Sequence, residues 1–236
     1  MRILGHRGAS ADAPENTLPS FRLALEQGAD GVELDTRLCR SGEAIVFHDD
    51  TLDRLTGRPG RVAETPWSTL RTLEVRHPGG GPPAHVPLLA EVLEALPRSA
   101  WINVELKAEG SGLRLAASVA GLLLAGGHGE RVVVSSFQPL CLLALAARAP
   151  GLTRGYLLDP DWPFWLEAGL ARLAGRDAVH PADAQVTPER VSAWHAEGKQ
   201  VAVWTVDDPA RARLLKDWGV DTLITNRPGL LRASGL

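Results

Sequence analysis

The chain has 236 residues, 44% hydrophobic and 22% charged, with a formal net charge of -3. That length fits one α/β barrel or one doubly wound sheet rather than two large domains, and a chain of this size buries about 70–75% of its unfolded surface, so it needs no disulfide or structural metal to hold a core. Scattered basic residues and a mildly acidic balance exclude the electrostatic footprint of a nucleic-acid binder, and the longest apolar run, Leu115 to Gly127, is too short and too rich in Ala and Gly for a transmembrane segment, which leaves small molecules as the expected partners.

Taken in chain order, short β-branched runs alternate with amphipathic segments, the pattern of βα units around a parallel sheet. The first strand, Ile3 to His6, runs into Arg7 and Gly8. It starts so early that no signal peptide precedes it, and a cytoplasmic protein is expected. Leu18, Phe21 and Leu25 then recur at helical spacing with Arg22 and Glu26 opposite, and Asn16 or Thr17 is placed to cap that helix. Gly31 to Arg37 is the second strand, with Glu33 and Asp35 on one face by the period of two. Cys39, like Cys141 further on, sits in no metal or redox spacing and reads as a small buried hydrophobe.

Ala44 to His48 is also strand-like, but the link through Arg40, Ser41, Gly42 and Glu43 is far shorter than the dozen or so residues of a parallel crossover. It predicts a hairpin whose second strand returns antiparallel, outside the barrel count. A turn centred on Ser41 and Gly42 sets residue 48 opposite residue 35. An insertion of about 51–87 follows, carrying a Gly/Pro loop from His77 to Pro83, expected as a flexible lobe over the barrel mouth, and then a helix from Leu88 to Leu96. The remaining strands are Ile102 to Lys107, Val132 to Phe137, Arg154 to Leu158, Ala178 to His180, Val201 to Val206 and Thr222 to Thr225. Trp162, Phe164 and Trp165 follow the fifth of the eight. Before the last strand, Asp208 caps a helix opened by Pro209, with Leu214, Leu215 and Trp218 facing inward and Gly219 ending it. The fold class expected is α/β, a (β/α)8 TIM barrel with a β-hairpin and small insertion after strand 2, as a single domain over residues 1–236.

In such barrels functional groups gather at the C-terminal ends of the strands. Here those ends carry His6, Glu33, Asp35, Glu105 and Lys107. Alone, Glu33 and Asp35 would read as a solvated strand face, Arg7 and Lys107 as surface ion-pair residues, His6 as a satisfied core histidine and His48 as a strand end. Barrel strands are buried, so the set converges instead. Three carboxylates from adjacent strands suit a hard divalent cation, Mg2+ or Ca2+, and no cysteine or histidine cluster argues for zinc.

These residues stand in motifs that strongly resemble the glycerophosphodiester phosphodiesterase family of phospholipase-C-like barrels. The resemblance runs over essentially the whole chain: His6-Arg7-Gly8, Pro14-Glu15-Asn16-Thr17, Glu33 and Asp35, His48 to Arg54, Glu105-Leu106-Lys107, Ser136-Phe137, Trp204-Thr205-Val206 and Ile224-Thr225-Asn226. It implies metal-dependent hydrolysis of a glycerophosphodiester substrate to glycerol 3-phosphate and an alcohol. Glu33, Asp35 and Glu105 would bind the cation, and His6 and His48 would act as general acid and base. Arg7 and Lys107 would clamp phosphate oxygens, Glu15 would orient the glycerol hydroxyls or the metal's outer shell, and Trp204 would pack on the glycerol backbone. The first nucleophile implied is the substrate's own glycerol hydroxyl. Alternatives are a lysophospholipase D or sphingolipid-type phosphodiesterase and, from another class, a non-catalytic binding barrel. A metallophosphatase with a His-x-His site is disfavoured because Arg7 and Gly8 follow His6. The oligomeric state is left open by the sequence.

Overall fold

The computed structural model describes residues 1–159, 169 and 174–236. In chain order the strands are β1 (Arg2–His6), β2 (Gly31–Leu38), β3 (Ala44–Val46), β4 (Glu74–Val75), β5 (Ala84–His85), β6 (Trp101–Leu106), β7 (Val132–Ser136), β8 (Thr153–Leu157), β9 (Ala178–His180), β10 (Gln200–Val203) and β11 (Thr222–Thr225). The described helices are α1 (Leu18–Glu26), α2 (Asp53–Thr56), α3 (Trp67–Leu70), α4 (Leu89–Ala95), α5 (Leu113–Ala125), α6 (Pro139–Arg148), α7 (Pro188–Ala196), α8 (Pro209–Asp217) and α9 (Pro228–Ala233).

Eight strands pair in parallel in the order β1, β2, β6, β7, β8, β9, β10, β11, and β11 pairs with β1 to close the ring. This is the expected TIM barrel. Its strands are buried on both faces, which is why they read as short continuous apolar runs. Outward-facing Val32, Leu34, Val104 and Val134 pack with Phe21 and Ala24 of α1 and Val119 of α5. On the far side Ile3, Tyr156, Val179, Val201 and Leu223 pack with Val191 of α7 and Leu215 of α8. Inside the ring Leu4, Ala202 and Ile224 meet Trp101 and Trp204.

β1 and β2 stay paired only as far as His6 opposite Glu33, and β3 takes the edge of β2 that β1 leaves, antiparallel as expected. The register differs by one from the sequence reading. Cys39 N–H donates to Glu43 O at 3.1 Å, so the loop is Arg40-Ser41-Gly42, with Gly42 at φ 99°, and its centre is Ser41. Asp35 O therefore accepts from Phe47 N–H at 3.0 Å, and His48 lies one residue beyond that pair. Three-residue hairpins with a positive-φ glycine are a standard alternative to two-residue turns, and the sequence Arg-Ser-Gly does not choose between them.

Two further expectations change. Strand β10 stops at Val203, so Trp204 to Val206 lie beyond it. Leu214 is 49% exposed, and Ala212 takes the inward position beside Leu215 on α8. The insertion has a core of its own, in which Leu52, Leu55, Val62, Leu70 and Val75 pack with Ile45 and Phe47 of the hairpin. Trp162, Phe164 and Trp165 fall outside the described residues. Cys39 and Cys141 are free and buried, as the sequence suggests.

Candidate active site

The loop after β1 turns back on the strand ends through two residues in the left-handed region, Arg7 at φ 56° and Asn16 at φ 57°. Such conformations cost energy in non-glycine residues and persist where surrounding bonds hold them. Both are held here. Arg7 N–H donates to Glu33 Oε2 at 3.0 Å and Asn16 N–H to Arg7 O at 3.0 Å. The Asn16 amide then donates to Asp35 Oδ2 at 2.9 Å and accepts from Asp35 N–H at 3.2 Å. Thr17, not Asn16, caps α1, accepting from Ser20 N–H.

Parallel pairing sets Asp35 of β2 beside Glu105 of β6 and Glu33 beside His6 of β1, all pointing into the mouth of the ring. Glu33, Asp35 and Glu105 are buried, and one oxygen of each lies within 4.8 Å of the others. Arg7 Nε is 3.2 Å from Asp35 Oδ2, and Lys107 Nζ is 3.6 Å from Asp35 Oδ1 and 2.9 Å from Glu105 Oε1. At that distance Glu105 Oε1 can accept a hydrogen bond from the Lys107 ammonium. Three carboxylates thus face two cations.

The pKa directions follow. Burial works to raise Asp35, but Arg7, Lys107, His48 and the Asn16 amide pull it down to about 2. Burial and the charge of Asp35 push Glu105 up to about 7, and burial with the charges of Asp35 and Glu105 raises Glu33 well above the usual carboxylate range. Two of the three carboxylates therefore want either a proton or a cation.

Two imidazoles flank them. His6 Nδ1 is 2.7 Å from Asn226 Oδ1, and Asn226 is fixed in turn by Asp207, which accepts its Nδ2–H and its N–H, each at 2.7 Å. Because the Asn226 oxygen can only accept, Nδ1 of His6 carries the proton and Nε2 presents a lone pair, 3.9 Å from Glu33 Oε2. Burial and Arg7 lower the His6 pKa to about 4. His48 Nδ1 donates to Asp49 Oδ1 at 2.6 Å, which likewise points its Nε2 away from Asp49. Burial lowers its pKa too, while Asp35 and Asp49 oppose that.

Around this centre, Glu15 accepts from Arg7 Nη1 at 2.9 Å and from Arg54 of α2. The half-buried Trp204 donates its Nε1–H to His180 O at 2.9 Å and meets Phe137 edge-on at 5.8 Å. Lys107 Nζ stands 5.9 Å over the Phe137 ring and also lines a cavity of about 210 Å3 with Arg37, Val62, Glu109 and Leu113.

An eight-stranded barrel with this carboxylate cluster at its mouth can be compared with known proteins. The model of the glycerophosphoryl diester phosphodiesterase family matches residues 6–230. The chain belongs to this family. A glycerophosphodiester phosphodiesterase from Caldanaerobacter subterraneus subsp. tengcongensis is 32% identical over 240 residues, covering 97% of this chain and 95% of that one. Among solved structures, a glycerophosphodiester phosphodiesterase from Agrobacterium tumefaciens superposes with a TM-score of 0.82 at 32% identity, covering 99% of both chains. A phosphodiesterase from Oleispira antarctica, determined in complex with its product sn-glycerol-3-phosphate, superposes with a TM-score of 0.86 at 28% identity over 99% of this chain and 96% of that one.

As a glycerophosphoryl diester phosphodiesterase, a phosphoric diester hydrolase, the chain brings His6, Arg7, Glu33, Asp35, His48, Glu105 and Lys107 to one barrel mouth. Glu15 lies in the ring of ion pairs around them and Trp204 against Phe137. Sequence reasoning assigned no role to Asn16 beyond a cap, and none to Asp49, Arg54, Asp207 or Asn226. Asn226 closes a family-like motif, but its contact with His6 spans 220 residues and depends on β11 lying beside β1. Only the ring closure makes it visible.

Proposed function

We propose that this protein hydrolyses glycerophosphodiesters to glycerol 3-phosphate and an alcohol, with a divalent cation, Mg2+ or Ca2+, held by Glu33, Asp35 and Glu105, and with His6 and His48 moving the protons. The observation that carries this is the three buried carboxylates converging within 4.8 Å between two oriented histidines. The donor set fits such an ion. All three groups are oxygen ligands, as hard cations require, one oxygen of each lies within 4.8 Å of the others, and their combined charge when ionised exceeds that of Arg7 and Lys107. When bound, the cation would offset charge developing on the phosphoryl oxygens and make a coordinated hydroxyl easier to deprotonate.

The chain's own groups supply the rest. Arg7 and Lys107 present charged donors beside the carboxylates and would hold the remaining phosphate oxygens. His6 offers an unprotonated Nε2 and would accept the proton of the attacking hydroxyl. His48, backed by a carboxylate that favours its charged form, would protonate the leaving alkoxide. Phe137 and Trp204 form an apolar wall suited to the glycerol carbons.

Release of glycerol 3-phosphate from a panel of glycerophosphodiesters, and of lysophosphatidic acid from a lysophospholipid, each with and without EDTA, tests the proposal. We expect turnover of the short substrates, loss on chelation and recovery with Mg2+ or Ca2+. Undiminished activity after exhaustive chelation, or a clear preference for the lysophospholipid, would overturn the corresponding part.

A further inference from the structure

Arg54 lies on the four-residue helix α2 of the insertion and is 47% exposed, the setting of an ordinary surface arginine. Its contacts are not ordinary. Nη1 and Nη2 donate to the two oxygens of Glu15 at 2.8 Å each, while Nε and Nη2 donate to the two oxygens of Asp49 at 2.6 and 2.9 Å. One planar guanidinium is thus forked onto two carboxylates at once, an arrangement that uses its fixed donor geometry and that a lysine cannot reproduce.

Both carboxylates face inward as well as outward. Asp49 Oδ1, which Arg54 holds, is also the acceptor for His48 Nδ1 at 2.6 Å. Glu15 Oε1, which Arg54 also holds, accepts from Arg7 Nη1 at 2.9 Å, and Arg7 in turn reaches Asp35. The chain of contacts therefore runs His48, Asp49, Arg54, Glu15, Arg7, Asp35. It joins the loop after β1 to the segment after β3 through a side chain of the insertion, two loops that no strand ladder connects at this point. Without Arg54, two carboxylates that are 15% and 20% exposed would each lose their fork and could turn toward water.

The geometry points to Arg54 as a positioning residue: by gripping Asp49 and Glu15 together it fixes the ring orientation of His48 and the placement of Arg7, so the insertion completes the site rather than only covering it. This rests on the reading of His48 as a proton-transfer group. A simple surface ion pair would contribute little to stability and leave turnover alone. A positioning residue acts on kcat instead. Hydrogen-bond partners that orient metal-binding histidines are worth roughly 10–100-fold, and we expect the same scale for one that orients a proton-transfer histidine.

The test compares Arg54→Ala, Arg54→Lys, Asp49→Asn, the Arg54→Ala/Asp49→Asn double variant and Arg61→Ala, all with cation present. Arg61 is the control: it has similar exposure and pairs with Glu109 without touching Asp49 or Glu15. With glycerophosphocholine we expect Arg54→Ala to lose roughly 10–100-fold in kcat, mostly restored by added guanidinium but not by ammonium. Arg54→Lys should recover little, the double variant should be no worse than the poorer single one, and Arg61→Ala should match the parent. Separately from turnover, the downfield proton NMR signal of His48 Nδ1–H should exchange faster with water in Arg54→Ala than in the parent. An unchanged signal overturns the inference whatever the substrate proves to be. Multiplicative losses in the double variant, or a loss shared by Arg61→Ala, overturn it as well. An altered His48 signal in a protein that does not turn over glycerophosphodiesters would leave the positioning intact and sink the functional reading alone.

Discussion

Behind His6 stands a neutral amide, Asn226, and behind His48 a carboxylate, Asp49; a division of proton work between the two rings would come from this difference. An amide fixes the tautomer without favouring the cation, whereas a carboxylate also stabilises the imidazolium. We expect His48→Ala to lose about 100-fold or more with glycerophosphocholine and much less with bis(p-nitrophenyl) phosphate, whose phenolate leaves without protonation. His6→Ala should cost the same on both. Equal losses for both variants on both substrates would make the histidines phosphate ligands instead. The carboxylates give a second test at this scale. Burial and the charge of Asp35 push Glu105 up to about 7 from its ordinary 4.5 when no cation is bound, so its contribution to stability is complete below 4.5 and is lost as pH rises through about 7. Asp35, held at about 2, keeps its contribution throughout that range. A cation that binds the ionised cluster offsets the loss, so the gain in melting temperature from Mg2+ or Ca2+ should be small near pH 5 and larger near pH 8. A gain independent of pH would place the cation elsewhere.

Among the elements, β2 does most to set the site, since it pairs with β1, β6 and β3 along its length. Its first residue, Gly31, has no room for a side chain: a Cβ there would fall 1.9 Å from Trp101 O on β6. Gly31→Ala should therefore lower stability by about 1–3 kcal/mol or more, the usual cost of overpacking, and should slow turnover because Glu33 and Glu105 sit further along the same pair of strands. A melting temperature within a degree of the parent would contradict this. The barrel, its strand list and the gathering of charged side chains at its mouth are legible in the sequence because short β-branched runs alternate with helical segments and fixed motifs sit at the strand ends. Side-chain pairings across loops are not. His48 was placed one residue off because a three-residue turn and a two-residue turn suit Arg-Ser-Gly equally. The sequence leaves the cap of α1 open between Asn16 and Thr17, because the short Asn16 amide suits that role as well as it suits Asp35. Leu214 was read as core because helical spacing allows a leucine at either edge of the apolar stripe, and only the packed neighbours decide.

At the scale of the whole molecule, the ends of the chain lie together. Helix α9 follows the last strand, and its Arg232 donates to Asp30 Oδ2 at 2.6 Å and to Gly28 O at 2.8 Å, while the same Asp30 oxygen accepts from Ile3 N–H at 2.7 Å. This partly exposed clasp is worth about 1 kcal/mol after solvent screening. Arg232→Ala should lower the melting temperature by about 2–4 °C, the value for that energy in a domain of this size, and leave kcat unchanged. A large loss of kcat would mean that the clasp reaches the catalytic mouth. The His6–Asn226 hydrogen bond gives the closure another meaning. Its two partners stand at the ends of the first and the last barrel strands, so a chain that has formed most of the barrel holds His6 without its amide until β11 docks. Turnover is then a clock for completion: during synthesis or refolding, activity should return together with the slowest structural phase, and partial chains lacking β11 should accumulate folded helices and strands yet remain silent as enzymes.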